Sequence, residues 1–152
     1  MPRLARILAT VGGIGYAPLV PGTFGSAVGW LLGVAWPARG HEGVHWIILI
    51  LVGLLGIIAA TSTERQLGRL DPGCVVIDEV IGMWAILVAV SRASQGWWSG
   101  VAFVLFRFFD IVKPPPLKWL SRFPGGWGIM LDDVGASVYA CFVLWVALAV
   151  AR

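Results

Sequence analysis

Five apolar runs, most of them a little short of a membrane crossing, constrain this chain more than any other feature. They cover residues 23–36, 44–61, 75–90, 97–112 and 134–150. Crossing the hydrocarbon takes about 20 residues of helix, with roughly 17 as a working minimum. Helices below that length must begin or end in protein-lined, hydrated surroundings, or be supplemented by a re-entrant stretch. Composition closes off the soluble alternative: 59% of the 152 residues are hydrophobic and 12% are charged, too few charged groups to cover a water-soluble globule. Nine Trp suit a membrane as well, because indole rings favour the boundary between hydrocarbon and headgroups. The expected fold is all-α, a polytopic membrane protein with about five transmembrane helices in one domain over residues 1–152. Residues 4–20 are the supplement, since Gly12, Gly13, Gly15, Pro18 and the following Pro21 argue against a continuous helix. They read as a Gly/Pro-rich re-entrant or interfacial arm. Met1 to Ala9 is basic and mildly apolar without a small-residue cleavage site, so no signal peptide is expected to be removed. Cys74 falls in a polar connection and Cys141 in an apolar run, and both are expected as free thiols.

The net charge of +3 comes from basic residues spread singly, without the aromatic-interleaved basic run of a nucleic-acid binder. An anionic lipid bilayer is the expected partner. Basic residues concentrate in loops that stay in the cytoplasm. With five spans, Arg3, Arg6, Arg65, Arg69, Arg107, Lys113, Lys118 and Arg122 share one side, against Arg39, Arg92 and Arg152 opposite, so the first side is expected to be cytoplasmic. Every carboxylate except Glu42 falls at that same end: Glu64, Asp71, Asp78, Glu79, Asp110, Asp132 and Asp133. Stabilisation of helix N-termini accounts for Asp78, Glu79, Asp132 and Asp133. It fails for Asp110, near the C-terminus of its helix, where the macrodipole disfavours an anion.

Chemistry concentrates in three clusters. In FRFFDIVKPPP, residues 106–116, Arg107, Asp110 and Lys113 project within roughly 120° of one another on a helix, a polar stripe on an apolar surface. Such a stripe is either a functional site or a mutual ion pair that snorkels to the interface. Pro114 to Pro116 end that helix. In VVIDEVIGMW, residues 75–84, Asp78 and Glu79 stand at the mouth of an apolar helix; adjacent side chains diverge by about 100°, so one is expected to coordinate and the other to support it. In PGGWGIMLDD, residues 124–133, Gly125, Gly126 and Gly128 give a tight loop beside Asp132 and Asp133. Its backbone N–H groups are open to a phosphate, or it is simply a turn into a helix. Oxygen ligands with no Cys or His nearby favour Mg²⁺, with Arg107 and Lys113 as the complement for phosphate oxygens. In VPGTFGS, residues 20–26, Thr23 or Ser26 either caps a helix or bonds a headgroup. Residues 116–123 form an interfacial segment with Leu117, Leu120 and Phe123 on one face and Lys118 and Arg122 flanking it.

VPGTFGS, IDEVIGMW, FRFFDIVKPPP and GGWGIMLDD in this order resemble the phosphatidylglycerophosphatase A family, from about Gly12 to Asp133. The resemblance implies an Mg²⁺-dependent inner-membrane phosphatase that converts phosphatidylglycerophosphate to phosphatidylglycerol in phospholipid synthesis. Carried over motif by motif, it implies site positions at Thr23, Gly25 and Ser26; Asp78, Glu79 and Gly82; Arg107, Asp110, Lys113 and Pro114; and Gly125, Gly126, Gly128, Asp132 and Asp133. Asp71 falls at a family-like acidic position. Asp78, Glu79, Asp110, Asp132 and Asp133 are the expected catalytic and metal-binding set, with roles left open among them. Arg107 and Lys113 are expected on phosphate, and Thr23, Ser26, Gly125 and Gly126 on substrate. Other phosphatase chemistries are excluded on residues. A cysteine phosphatase needs Arg six residues after its Cys, where this chain has Val80 and Ala147, and no Asp-x-Asp is present. The competing readings are a small cation transporter or channel component, whose acids should line a path across the membrane, and a phospholipid-headgroup transferase.

Overall fold

The computed structural model describes residues 2–94 and 96–151, the side chains of Pro2, Arg92 and Ser94 excepted. Arg152 and the Arg92 side chain, both counted in the charge bias above, therefore lie outside the described residues. The described residues form α-helices and short 3₁₀ turns, with no strand among them.

The first helix, α1 (Pro2–Ala9), packs along the third, α3 (Glu42–Leu67). The chain then turns through Val11, Gly12 and Gly13, all at positive φ, into a 3₁₀ turn at Ile14–Tyr16. The arm is thus broken where its glycines predict. The end of α1 is pinned to a later segment of the chain, since the Val76 N–H donates to the Ala9 carbonyl at 2.9 Å.

Helix α2 (Pro21–Ala35) opens with proline at its first position, where no amide donor is needed. It lies against α4 (Ile77–Ala89) through a row of small residues. A Cβ on Gly29 would stand 2.3 Å from the Val80 carbonyl oxygen, so the two backbones meet directly. Helix α3 ends in a left-handed Gly68 whose N–H reaches the Glu64 carbonyl. Helices α5 (Trp98–Val112), the short α6 (Leu117–Leu120) and α7 (Gly126–Val150) complete the bundle.

Helix α4 is the centre. Val80, Ile81, Met83, Trp84, Ile86, Leu87 and Val88 are all buried, because α2, α3, α5 and α7 surround it. A helix apolar all round is either a lipid-facing span or a core helix, and here it is the core.

That corrects the expectation of about five spans. Among the described residues, two helices are long and apolar enough to cross a membrane, α3 and α7. Helices α2, α4 and α5 have 15, 13 and 15 residues; at 1.5 Å per residue they reach roughly 20–22 Å, against about 30 Å of hydrocarbon. The two long helices turn apolar side chains outward, among them Ile47, Ile50, Leu54 and Ile58 on α3 and Val138, Phe142 and Trp145 on α7. An outward face of this kind suits lipid. Cys74 and Cys141 are free thiols, as expected.

Helix α7 also begins earlier than its apolar run. Gly125, at φ 64° and ψ −154°, ends the preceding turn, and the helix starts at Gly126. A Cβ on Gly126 would lie 2.2 Å from the Ile57 carbonyl oxygen, while its N–H donates to Thr61 Oγ1 at 2.8 Å. The glycine loop is in fact the contact of α7 with α3. This start places Asp132 and Asp133 nearly two turns inside the helix, about 10 Å along its axis.

Candidate active site

Asp78 and Glu79 occupy the first turn of α4. Asp110 lies in the last turn of α5, and Asp132 and Asp133 reach in from α7. The result is two overlapping groups. Oxygens of Asp78, Glu79 and Asp133 all lie within 4.8 Å of one another, and so do oxygens of Asp110, Asp132 and Asp133. Asp133 belongs to both. Although adjacent side chains diverge along their own helix, Asp78 and Glu79 each place an oxygen in the same group, with Asp133 of α7 as its third member.

The cluster is buried, with Asp78, Asp132 and Asp133 exposed by 8%, 5% and 3%. Asp78 Oδ1, Glu79 Oε2, Asp132 Oδ1 and Asp133 Oδ2 make no hydrogen bond among the described residues. Buried carboxylate oxygens without a donor are costly unless a cation meets them. An all-oxygen set with no Cys or His suits Mg²⁺ by donor chemistry, so the residues fit such an ion.

The two groups differ in their basic partners. Arg107 Nη1 is 2.5 Å from Asp110 Oδ2, and the Lys113 ammonium bonds Asp132 Oδ2. No salt bridge among the described residues reaches Asp78, Glu79 or Asp133. Lys113 holds its place at a backbone cost: it ends α5 at φ 48°, a left-handed conformation unfavourable for a residue with a Cβ. From that turn its side chain reaches Asp132 on α7. Burial disfavours the Lys113 charge, but the bond to Asp132 and the field of Asp132, Asp110 and Asp133 outweigh it and raise its pKa above the ordinary lysine value.

Helix α2 closes the site from the side. Val20 precedes it without a side-chain cap, so neither Thr23 nor Ser26 serves as one. Ser26 is buried, donates to the Gly22 carbonyl at 2.8 Å and accepts from Arg107 Nη1 at 3.4 Å. Thr23 sits half-buried in the first turn of α2. Gly125 and Gly128 line a cavity of about 520 Å³ with Glu64, Asp71, Arg122 and Asp132, the polar approach to the cluster. Gly126, with its N–H held by Thr61, lies in the helix crossing instead.

Other residues of the site escape a reading of motifs by charge. A Cβ on Gly22 would fall 2.2 Å from Glu79 Oε1 and 3.1 Å from Arg107 Nη1, so this glycine lets α2 approach both. Ser137 Oγ bridges the carbonyls of Gly82 and Asp133, at 2.9 and 2.7 Å, and fixes α7 against α4. Gly22 had a sequence signal in its VPGTFGS motif; Ser137, one serine in an apolar run, had none.

The family model for phosphatidylglycerophosphatase A matches residues 7–148. A phosphatidylglycerophosphatase A of Haemophilus influenzae is 38% identical over 141 residues, 92% of this chain and 86% of its own length. That of Escherichia coli is 35% identical over 145 residues, 92% of this chain and 81% of its own. A Bacteroides thetaiotaomicron protein provisionally named a phosphatidylinositol-3-phosphatase is 38% identical over 149 residues, covering 95% of this chain and 93% of its own length. No solved structure matches the chain.

Proposed function

Because this chain belongs to the phosphatidylglycerophosphatase A family, we propose that it hydrolyses phosphatidylglycerophosphate to phosphatidylglycerol and inorganic phosphate in phospholipid synthesis, with Mg²⁺ as cofactor. The observation that carries the reading is the convergence of Asp78, Glu79, Asp110, Asp132 and Asp133 with Arg107 and Lys113 in one buried site. Asp78, Glu79 and Asp133 would hold the ion, since no basic side chain bridges them. Bound there, Mg²⁺ supplies neutralisation and polarisation of the terminal phosphate.

The remaining residues divide the work by charge. Arg107 and Lys113 hold phosphate oxygens and stabilise the charge that grows on them in the transition state, and Asp110 and Asp132 keep both cations in position. Asp132 lines the cavity beside the cluster, and with Oδ2 on Lys113 its Oδ1, buried without a protein donor, is the oxygen left to take a proton. It accepts the proton of a water entering from that side as the water oxygen bonds phosphorus and the bond to the glycerol oxygen breaks, and that proton then passes to the departing glycerol oxygen to give the alcohol. The site sits in a multi-pass protein of the inner, cytoplasmic membrane and faces the cytoplasm, in line with the basic loops at the same end as the acids.

Phosphate release from purified protein and phosphatidylglycerophosphate, measured with Mg²⁺ and with excess chelator, tests this reading. Mg²⁺-dependent release is expected. Product formation only when an alcohol acceptor is added would identify a headgroup transferase, and cation flux through proteoliposomes without phosphate release would identify a transporter.

A further inference from the structure

Beside the carboxylates runs a cavity that the hydrolysis itself does not use. It lies between α3, α4 and α7, holds about 470 Å³, and is lined by apolar side chains such as Leu49, Ile50, Ile81, Ala85, Val134 and Cys141. Its one hydroxyl, Ser137 Oγ, is turned into bonds with the Gly82 and Asp133 carbonyls and leaves the wall apolar.

The walls of this groove lead to the site. On α4 the lining residues Ile81, Ala85 and Ala89 follow Asp78 at three, seven and eleven residues, one face of a helix. On α7 the lining residues Met130, Val134, Ser137 and Cys141 make one face, and Asp133 stands off its edge, one turn above Ser137. Asp78 thus stands at the head of the α4 wall of the cavity, and its partner Asp133 flanks the α7 wall. From Ile81 to Ala89 the groove descends about 12 Å, within the roughly 15 Å that one leaflet provides. Ala85 and Ala89 are the smallest residues on the deep wall and keep it open.

We propose that this groove binds one acyl chain of the lipid substrate, and that Ala85 and Ala89 determine how long a chain it accepts. The proposal rests on the phosphatase reading, because it is the phosphate, held by Arg107 and Lys113 in the site that Asp78 and Asp133 share, that places the lipid at the head of the α4 wall. A bulk lipid has no such anchor.

The test compares dioleoyl with dihexanoyl phosphatidylglycerophosphate on Ala85→Leu and on Ala89→Phe, the latter at an exposed position that tolerates a larger side chain. Ala85 lies about 10 Å below Asp78, and a hexanoyl chain ends twelve carbons short of an oleoyl one, so the deep end of the groove is contacted by the longer chain. Each variant is expected to raise KM for the dioleoyl lipid about tenfold, the equivalent of about two methylenes no longer buried. Values for the dihexanoyl lipid should stay as in the wild type. Unchanged dioleoyl KM in both variants overturns the groove. Should both variants lose activity on both lipids, the wild type decides: a substrate with a diazirine at its acyl terminus should label residues 46–50 and 85–89, and label spread over the outward faces of α3 and α7 overturns the proposal. A wild type that hydrolyses neither lipid sinks the phosphatase reading instead, and the same label still decides on the groove.

Discussion

Asp133→Asn separates a functional cluster from a structural one, because the two readings predict opposite signs. Asp133 is 3% exposed, shares each carboxylate group, and has an oxygen without a donor. Two like charges 4.8 Å apart repel by about 3.5 kcal/mol at an effective dielectric of about 20. Protonation, Arg107 and Lys113 relieve part of that in the metal-free protein. Asn keeps the shape and the backbone carbonyl that Ser137 binds, and removes the charge. In chelator the variant should therefore be more stable than the wild type by at least about 1 kcal/mol, a rise in Tm of roughly 2–4 °C for a chain of this size. Adding Mg²⁺ at about a hundred times its Kd should stabilise the wild type by about 2.7 kcal/mol and the variant far less. Turnover should fall at least roughly a hundredfold, the scale for losing one preorganised charge at a reacting centre. Thermal melts with and without Mg²⁺ and kcat on the same detergent-purified sample decide it. A variant that melts lower in chelator, responds to Mg²⁺ like the wild type and keeps its kcat would show that Asp133 serves packing alone.

The remaining predictions concern the ion, the basic pair, the helix crossing and the orientation. Replacing Mg²⁺ by Ca²⁺ should suppress turnover while still raising Tm, because Ca²⁺ takes longer bonds and more ligands and misplaces the phosphate; equal kcat with both ions would refute this. Lys113 has a folded pKa above its unfolded value, so its stabilising contribution is complete below the ordinary lysine range and lost as pH rises through the folded value. Tm measured across that alkaline window should fall more steeply in the wild type than in Lys113→Met, which at neutral pH should already have lost activity. Gly126→Ala drives a methyl toward the Ile57 carbonyl and should destabilise the protein by about 1–3 kcal/mol in denaturant melts. A cysteine at Ser121, exposed in the polar approach to the site, should resist impermeant maleimide in sealed right-side-out cells and react once the membrane is opened.

Local properties of the chain determined much of this. Apolar periodicity and the scarcity of charge required helices and a lipid-compatible exterior, and Gly12, Gly13, Pro18 and Pro21 required that the first segment be broken. The residue types at Asp78, Glu79, Arg107, Asp110, Lys113, Asp132 and Asp133 specified oxygen-ligand and phosphate chemistry before any fold was known. What only the tertiary structure decided was how those segments share space. Residues 75–90 read as a span, yet form a 13-residue helix that is apolar because four neighbours surround it. Apolarity alone does not tell a lipid environment from a protein one. Asp78 and Glu79 diverge along their own helix, and it took Asp133, inserted from α7, to join them in one group. Pairing Lys113 with Asp132 required the left-handed turn that ends α5, a backbone state no periodicity encodes. Sequence sets what each residue can do by its chemistry and its place in a helical turn. Which groups meet depends on crossings such as Gly126 on Ile57, and those are properties of two segments at once.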